Sequence, residues 1–221
     1  DNSLAIATFE GETTELRFDS CLALEHFEIP LPDYPLEEYA RTYPFQYDDE
    51  ELPDLAQGLR SHYPNDNVAG WAEQFLDPSG SGRTIDLLRS MTSAIRRDFK
   101  YQRRSEKGIQ SPGETLKCRQ GSCRDFALLM MEAVRHMGFA ARFVSGYIFV
   151  PDMDASDITC GGATHAWMQV YLPGAGWVDF DPTNNIIGNR NLIRVAVAWD
   201  PKQVLPLWGT YVGPASAFLG M

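Results

Sequence analysis

The 221-residue chain is 44% hydrophobic and 12% aromatic, enough apolar surface for one substantial core with a small appended unit. With 30 Asp and Glu against 19 Lys and Arg, its formal charge of -11 excludes the basic surface of a nucleic-acid binder and favours a basic or neutral partner. No apolar run reaches bilayer-crossing length and nothing at the start has the order of a signal peptide, so the expected compartment is the cytosol, without a membrane partner.

From Leu4 to Phe27, apolar and polar positions alternate around a turn signal at Gly11, which predicts half-buried strands. This first segment reads as the middle of something longer, with residues expected upstream of Asp1. Pro30, Pro32, Pro35 and Pro44 punctuate an acidic stretch through Glu51 that cannot hold a long helix, and it reads as a linker wrapped on the surface. Residues 1–50 are therefore expected to be a partial β region with its linker, and 51–221 the main unit.

Short helices are expected at Asp54 to Arg60 and Asn67 to Leu76, and a longer one from Thr84, whose Ile85, Leu88, Thr92, Ile95 and Phe99 form one apolar stripe. Gln102 to Gly121 is polar, carries Gly and Pro, and reads as a loop. Gly121-Ser122-Cys123-Arg124-Asp125 then opens an apolar helix that Gly138 stops. Strands are expected over Ala141 to Val150 and Thr164 to Tyr171, the latter turned back by Pro173-Gly174-Ala175-Gly176 into Trp177 to Asp181. Ile193 to Trp199 supplies a further strand, and Gly209 to Met221 reads as extended cover.

The four cysteines, Cys21, Cys118, Cys123 and Cys160, are too few for a disulfide-stapled fold, and free thiols are expected. Cys123 stands at a helix start, where unpaired amides and aligned peptide dipoles favour thiolate over thiol. A nucleophile needs a proton acceptor, and His165 is the candidate: its strand puts His165, Trp167, Gln169 and Tyr171 on one face and Ala166, Met168, Val170 and Leu172 on the other. On the returning strand Trp177, Asp179 and Asp181 share a face. If the hairpin has the right parity, Asp181 can accept the second imidazole N–H and fix the ring.

Four blocks in order carry a family resemblance: Gly121 to Ala127, Ala140 to Tyr147, His165-Ala166-Trp167, and Gly176 to Thr183. Together they resemble the transglutaminase-like superfamily, in particular its bacterial branch of cysteine proteases with an N-terminal β domain. The resemblance implies an α+β, papain-like core in which a helix carrying Cys123 packs on an antiparallel sheet carrying His165 and Asp181. It implies a cysteine hydrolase acting on a peptide or protein amide through an acyl-enzyme on Cys123. Acyl transfer to an amine is the alternative, as is a non-catalytic binding module on the same fold. Calcium-dependent transglutaminases add β domains and acidic metal loops that this sequence lacks, which favours water as the acceptor.

The Cys123 backbone N–H is one expected oxyanion donor, with Tyr101 or Gln120 as the second. Trp167 and Trp177 either wall the cleft or pack. Arg124 and Asp125 read as a substrate contact or, preferably, as ordinary helix-start charges. Cys21, Cys118 and Cys160 read as inert, and His26, His62 and His136 as structural. Zinc accepts a set such as Cys118, Cys123, Cys160 and His165, but these gaps exceed the tight pairs zinc sites use, so neither a metal nor another cofactor is expected. The loops Gln102 to Arg119 and Pro151 to Gly162 carry no readable specificity code.

Overall fold

The computed structural model describes residues 2–12, 14–15, 17–19, 21–28, 35–64, 66–103, 108–149, 164–210 and 212–213. A 3-10 turn, Glu38–Arg41, precedes the short strand β1 (Thr42–Tyr43). Two helices follow, α1 (Leu52–Leu59) and α2 (Ala69–Glu73). Next come β2 (Gly82–Arg83), α3 (Thr84–Asp98), β3 (Lys100–Tyr101), α4 (Pro112–Cys118), β4 (Gln120–Gly121) and α5 (Cys123–His136). The main strands are β5 (Ala141–Ile148), β6 (Thr164–Leu172) and β7 (Gly176–Asp181), followed by β8 (Ile186–Ile187), β9 (Leu192–Ala198) and a 3-10 turn, Pro201–Val204.

The architecture is α+β, as the family resemblance implies. Strands β8, β7, β6, β5 and β9, in that spatial order, form one antiparallel sheet. Helix α5 is buried on all sides, as a central helix is: every residue from Asp125 to Arg135 is buried, the charged Asp125, Glu132 and Arg135 included. It packs against β5 and β6, in a core that includes Ala166, Met168, Val170 and Leu172. The opposite sheet face carries a smaller cluster of Val144, Ile148, Trp167 and Leu192.

Chain geometry fixes where the start of α5 comes to lie. Gly138, at φ 85°, reverses the chain, and Ala141 pairs with Val170 near the far end of β6. Helix α5 therefore runs parallel to β6. Its 14 residues span about 21 Å at ~1.5 Å each, and the five strand steps from Val170 back to His165 cover about 17 Å at ~3.4 Å each. Cys123 is thus carried to the end of the sheet that holds His165.

A buried ion pair anchors the other end of α5. Arg135 Nη1 donates to Glu132 Oε1 at 2.7 Å, and Glu132 Oε2 accepts from Ser61 Oγ and from the amides of His62 and Tyr63. The same guanidinium donates to the carbonyls of Gly58, Ala141 and Trp199, which joins α1, α5, β5 and the end of β9.

Three expectations are corrected. Among the described residues from 2 to 28 there is no strand: Leu4, Ile6, Phe9, Phe18 and Leu22 are exposed, and no backbone ladder pairs with them. Alternation states which face a strand would bury, but without a partner strand it forms no sheet. Residues 35–51, expected as a linker on the surface, are docked with buried side chains. Ala40 and Tyr47 are buried, Tyr47 Oη donates to the Tyr171 carbonyl and accepts from the Ala140 amide, and Thr84 Oγ1 donates to the Ala40 carbonyl. The expected loop Gln102 to Gly121 contains α4, whose start is a capping box between Ser111 and Glu114 with Pro112 at the first helical position. Pro151 to Gly162 and most of Gly209 to Met221 lie outside the described residues. Among the described residues no helix is long and apolar enough to cross a membrane.

Candidate active site

Cys123 is the first residue of α5 and 6% exposed. The turn before it is held by Asp125, a fully buried carboxylate in the first helical turn. Asp125 Oδ2 accepts from the Ser122 amide at 2.8 Å and from Ser122 Oγ at 2.9 Å, and Oδ1 accepts from the Gln110 amide at 2.7 Å. Asp125 therefore does more than compensate the helix dipole: it ties the 108–111 segment to the residue before Cys123. A side chain at Gly121 has no room, since a Cβ there would lie 2.9 Å from Asp125 Cβ. The signal was present in the sequence as Ser at the N-cap with Asp three residues on.

Strands β3 and β4 lead into this turn as a parallel pair, with Lys100 opposite Gln120 and Tyr101 opposite Gly121. Tyr101 is half-buried against the core and Gln120 is exposed. The Gln120 carbonyl accepts from Gln110 Nε2 at 3.0 Å.

The hairpin has the parity the argument needs: Gln169 pairs with Asp179 and Tyr171 with Trp177, so the odd-numbered residues of β6 and β7 share a face. His165 Nε2 lies 2.8 Å from Asp181 Oδ2, with both side chains fully buried. Asp181 is held by further donors. Asn184 Nδ2 donates to Oδ2 at 2.9 Å, while the amides of Thr183 and Asn184 donate to Oδ1 at 2.9 and 3.4 Å. All come from the turn that Pro182 begins, so the strand end itself builds the carboxylate's cradle. With Nε2–H directed at a carboxylate, the neutral imidazole carries its lone pair on Nδ1. Such a ring can take a proton at Nδ1 and hold the resulting cation against Asp181.

Trp167 does not face an open cleft, and Trp177 is half-buried away from Asp181. Trp167 is completely buried; its ring lies against His165 with centroids 5.8 Å apart at 27°, and its indole N–H donates to Asp179 Oδ1 at 2.6 Å. Trp177 sits at the far end of β7, about 13 Å along the strand from Asp181 at ~3.3 Å per residue, where it packs on Tyr171 and Trp199 under the Arg142 guanidinium. Alternation shows which side chains share a face but not how deeply each is covered.

Of the other singled-out residues, His26 Nε2 is 2.9 Å from the Asn189 carbonyl, and His136 lines a surface cavity of about 360 Å³ with Tyr43, Glu73 and Asp77, on other elements than His165. Cys21 and Cys118 are exposed and in no disulfide, Cys123 is buried and in no disulfide, and Cys160 lies outside the described residues. Among the described residues, no group of three or more His, Cys, Asp and Glu is placed to hold a metal ion.

Comparison with known proteins adds a family to this geometry. The model of the transglutaminase-like superfamily matches residues 69–182, just over half of the chain. An uncharacterized protein of Mycobacterium tuberculosis is 35% identical over 130 residues, covering 57% of this chain and 41% of that protein. One from Mycobacterium leprae is 40% identical over 108 residues, covering 48% and 38%. The chain thus spans about two fifths of the length of these relatives. The crystal structure of a Cytophaga hutchinsonii protein provisionally assigned as a cysteine protease superposes with a TM-score of 0.54 at 23% identity, covering 71% of this chain and 50% of that one; the likeness is one of fold.

Proposed function

The chain belongs to the transglutaminase-like superfamily, and from that premise we propose that it is a cysteine-dependent amide hydrolase, a peptidase or amidase, with Cys123 as nucleophile, His165 as base and Asp181 as the residue that orients the histidine. The observation that carries the reading is the buried contact of 2.8 Å between His165 Nε2 and Asp181 Oδ2, at the end of the sheet to which α5 brings Cys123. Burying an imidazole–carboxylate pair carries a desolvation cost, and such pairs cluster at functional sites.

In the proposed reaction the proton of Cys123 Sγ passes to His165 Nδ1. The thiolate is favoured by the amides and dipole at the start of α5, and the imidazolium by Asp181. The sulfur attacks the carbonyl carbon of a peptide or protein amide, and the Cys123 backbone N–H, with Tyr101 or Gln120, donates to the oxyanion. Collapse breaks the C–N bond, the imidazolium proton leaves with the amine, and a thioester remains on Cys123. Water, deprotonated by His165, then releases the acid and restores the thiol. Four cysteines in 221 residues, too few for a disulfide-stapled fold, fit a reducing compartment such as the cytosol.

The test is acid-quenched mass spectrometry after mixing with p-nitrophenyl butyrate. The reading expects a burst of nitrophenolate and a butyryl adduct on the Cys123 peptide, both lost in Cys123→Ala. An adduct that persists in that variant, or no adduct in the wild type, overturns it. Adding a primary amine separates the acceptors: release of butyric acid supports hydrolysis, and a butyramide product supports acyl transfer.

A further inference from the structure

We propose that Asp179 is a positioning residue for His165, acting through the indole of Trp167; the proposal rests on the reading of His165 as the base. Asp179 is only 8% exposed, and burying a carboxylate is unfavourable unless hydrogen bonds and charges compensate it. Desolvation holds its carboxyl above the usual range, partly offset by hydrogen bonds from Trp167 and Gln169 and by the charges of Arg194 and Arg142. The acyl chemistry itself uses none of this.

What Asp179 holds is the ring behind the base. Oδ1 accepts the Trp167 indole N–H at 2.6 Å and Gln169 Nε2 at 2.8 Å, and Gln169 Oε1 in turn accepts from Arg142 Nε at 2.8 Å. The opposite edge of the indole is confined by Gly146, the residue paired with His165 in the β5–β6 ladder: a Cβ at that glycine would stand 2.7 Å from Trp167 Cη2 and would collide with the Ile193 carbonyl. The indole is therefore pinned at both ends and lies against one face of the imidazole at 5.8 Å. Asp181 fixes the ring at Nε2, and Trp167 fixes its plane. Two constraints are needed, because a single hydrogen bond leaves the ring free to tilt about it, and an error of about 1 Å in a catalytic group costs about a hundredfold in rate.

Among the described residues, Asp181 from β7 is the titratable group at hydrogen-bond distance from His165, and α5 brings Cys123 to the same end of the sheet; beyond the indole stand Asp179 on β7, Arg142 on β5 and Arg194 on β9. Asp179 thus acts on the base through one intervening ring, and the substitutions at Asp179 and Trp167 should be coupled.

The experiment is the pH dependence of iodoacetamide alkylation of Cys123 from pH 4 to 9, quantified on its peptide, in the wild type, Trp167→Phe, Asp179→Leu, the double variant and Asp179→Asn. Trp167→Phe keeps a ring and removes the N–H; we expect the rising limb to move to higher pH by about one unit, which is an about tenfold slower reaction at pH 5.5. Asp179→Leu should fall as far, and the double variant no further, because both substitutions break the same Trp167–Asp179 bond that holds the indole. Asp179→Asn, which keeps an oxygen acceptor, should stay within about threefold of the wild type and serves if the leucine variant fails to fold. A residue that only stabilises the sheet would lower the melting temperature and leave the limb in place. An unmoved limb in Trp167→Phe overturns the proposal while leaving the assignment of His165 intact. A wild-type Cys123 that titrates like an ordinary thiol overturns both.

Discussion

Replacing Asp181 by Asn tests the orientation of His165 with almost no change of shape. The carboxylate accepts two backbone amides on Oδ1 and two side-chain donors, His165 Nε2 and Asn184 Nδ2, on Oδ2. An asparagine amide has one oxygen. If that oxygen stays on the backbone amides, its NH2 group faces two other N–H donors, and the imidazolium is the state that suffers, because it carries a proton on both nitrogens. Each buried donor left unsatisfied costs about 1–3 kcal/mol, so the thiolate–imidazolium pair is disfavoured by about 4 kcal/mol, close to a thousandfold at ~1.4 kcal/mol per tenfold. Alkylation of Cys123 at pH 5.5 is the suitable assay, since a thiol of ordinary pKa near ~8.5 has only about a thousandth of its population as thiolate there. We expect the rate to fall by about two to three orders of magnitude with the near-UV circular dichroism retained. A rate within about threefold of the wild type in a folded variant refutes the reasoning.

Arg135→Met leaves Glu132 buried without its cation and should cost about 3–5 kcal/mol in urea unfolding; a loss below about 1 kcal/mol contradicts the role given to this pair. Gly146→Ala should destabilise by about 1–3 kcal/mol through overpacking against Trp167 and the Ile193 carbonyl, and it should slow Cys123 alkylation, whereas an unchanged midpoint and rate would show that the contact yields freely. Asp77, on the surface, is held down to about 2 from the usual 3.8, first by its hydrogen bond from Ser79 and then by those from Ser81. Its folded pKa lies below the unfolded one, so its contribution is present above pH 3.8 and lost as the pH falls towards 2. The melting-temperature gap between the wild type and Asp77→Ala should therefore narrow over that interval, and a constant gap argues against the carboxylate's charge as its source.

The start of α5 and the β6–β7 hairpin were legible because their signals are local: a capped, apolar run ended by a glycine, and two strands joined by Pro173-Gly174-Ala175-Gly176. The parity of that hairpin was not legible. A two-residue loop would pair odd with even positions, and a three-residue loop pairs odd with odd. The chain takes the latter, with Leu172 opposite Gly176 and both Gly174 and Gly176 at positive φ. Helix α4 was misread although its capping box was in plain sight, because Pro112 and Gly113 weigh as loop formers wherever a cap is not considered. The strands expected before Phe27 failed for a non-local reason, since alternation cannot supply the neighbour a ladder requires. Asp125 and Trp167 were undervalued because their roles depend on burial and on partners far along the chain, Gln110 and Asp179, which only the tertiary structure brings near.

Competition among the cysteines tests the central claim most directly, because exposure and activation point in opposite directions. Cys21 and Cys118 are exposed, and Cys123 is nearly buried. With a limiting amount of iodoacetamide at pH 6 and peptide mapping of the product, the account predicts that the label goes first to Cys123, because only a thiolate attacks. Labelling led by Cys21 or Cys118, with Cys123 modified last, would contradict it.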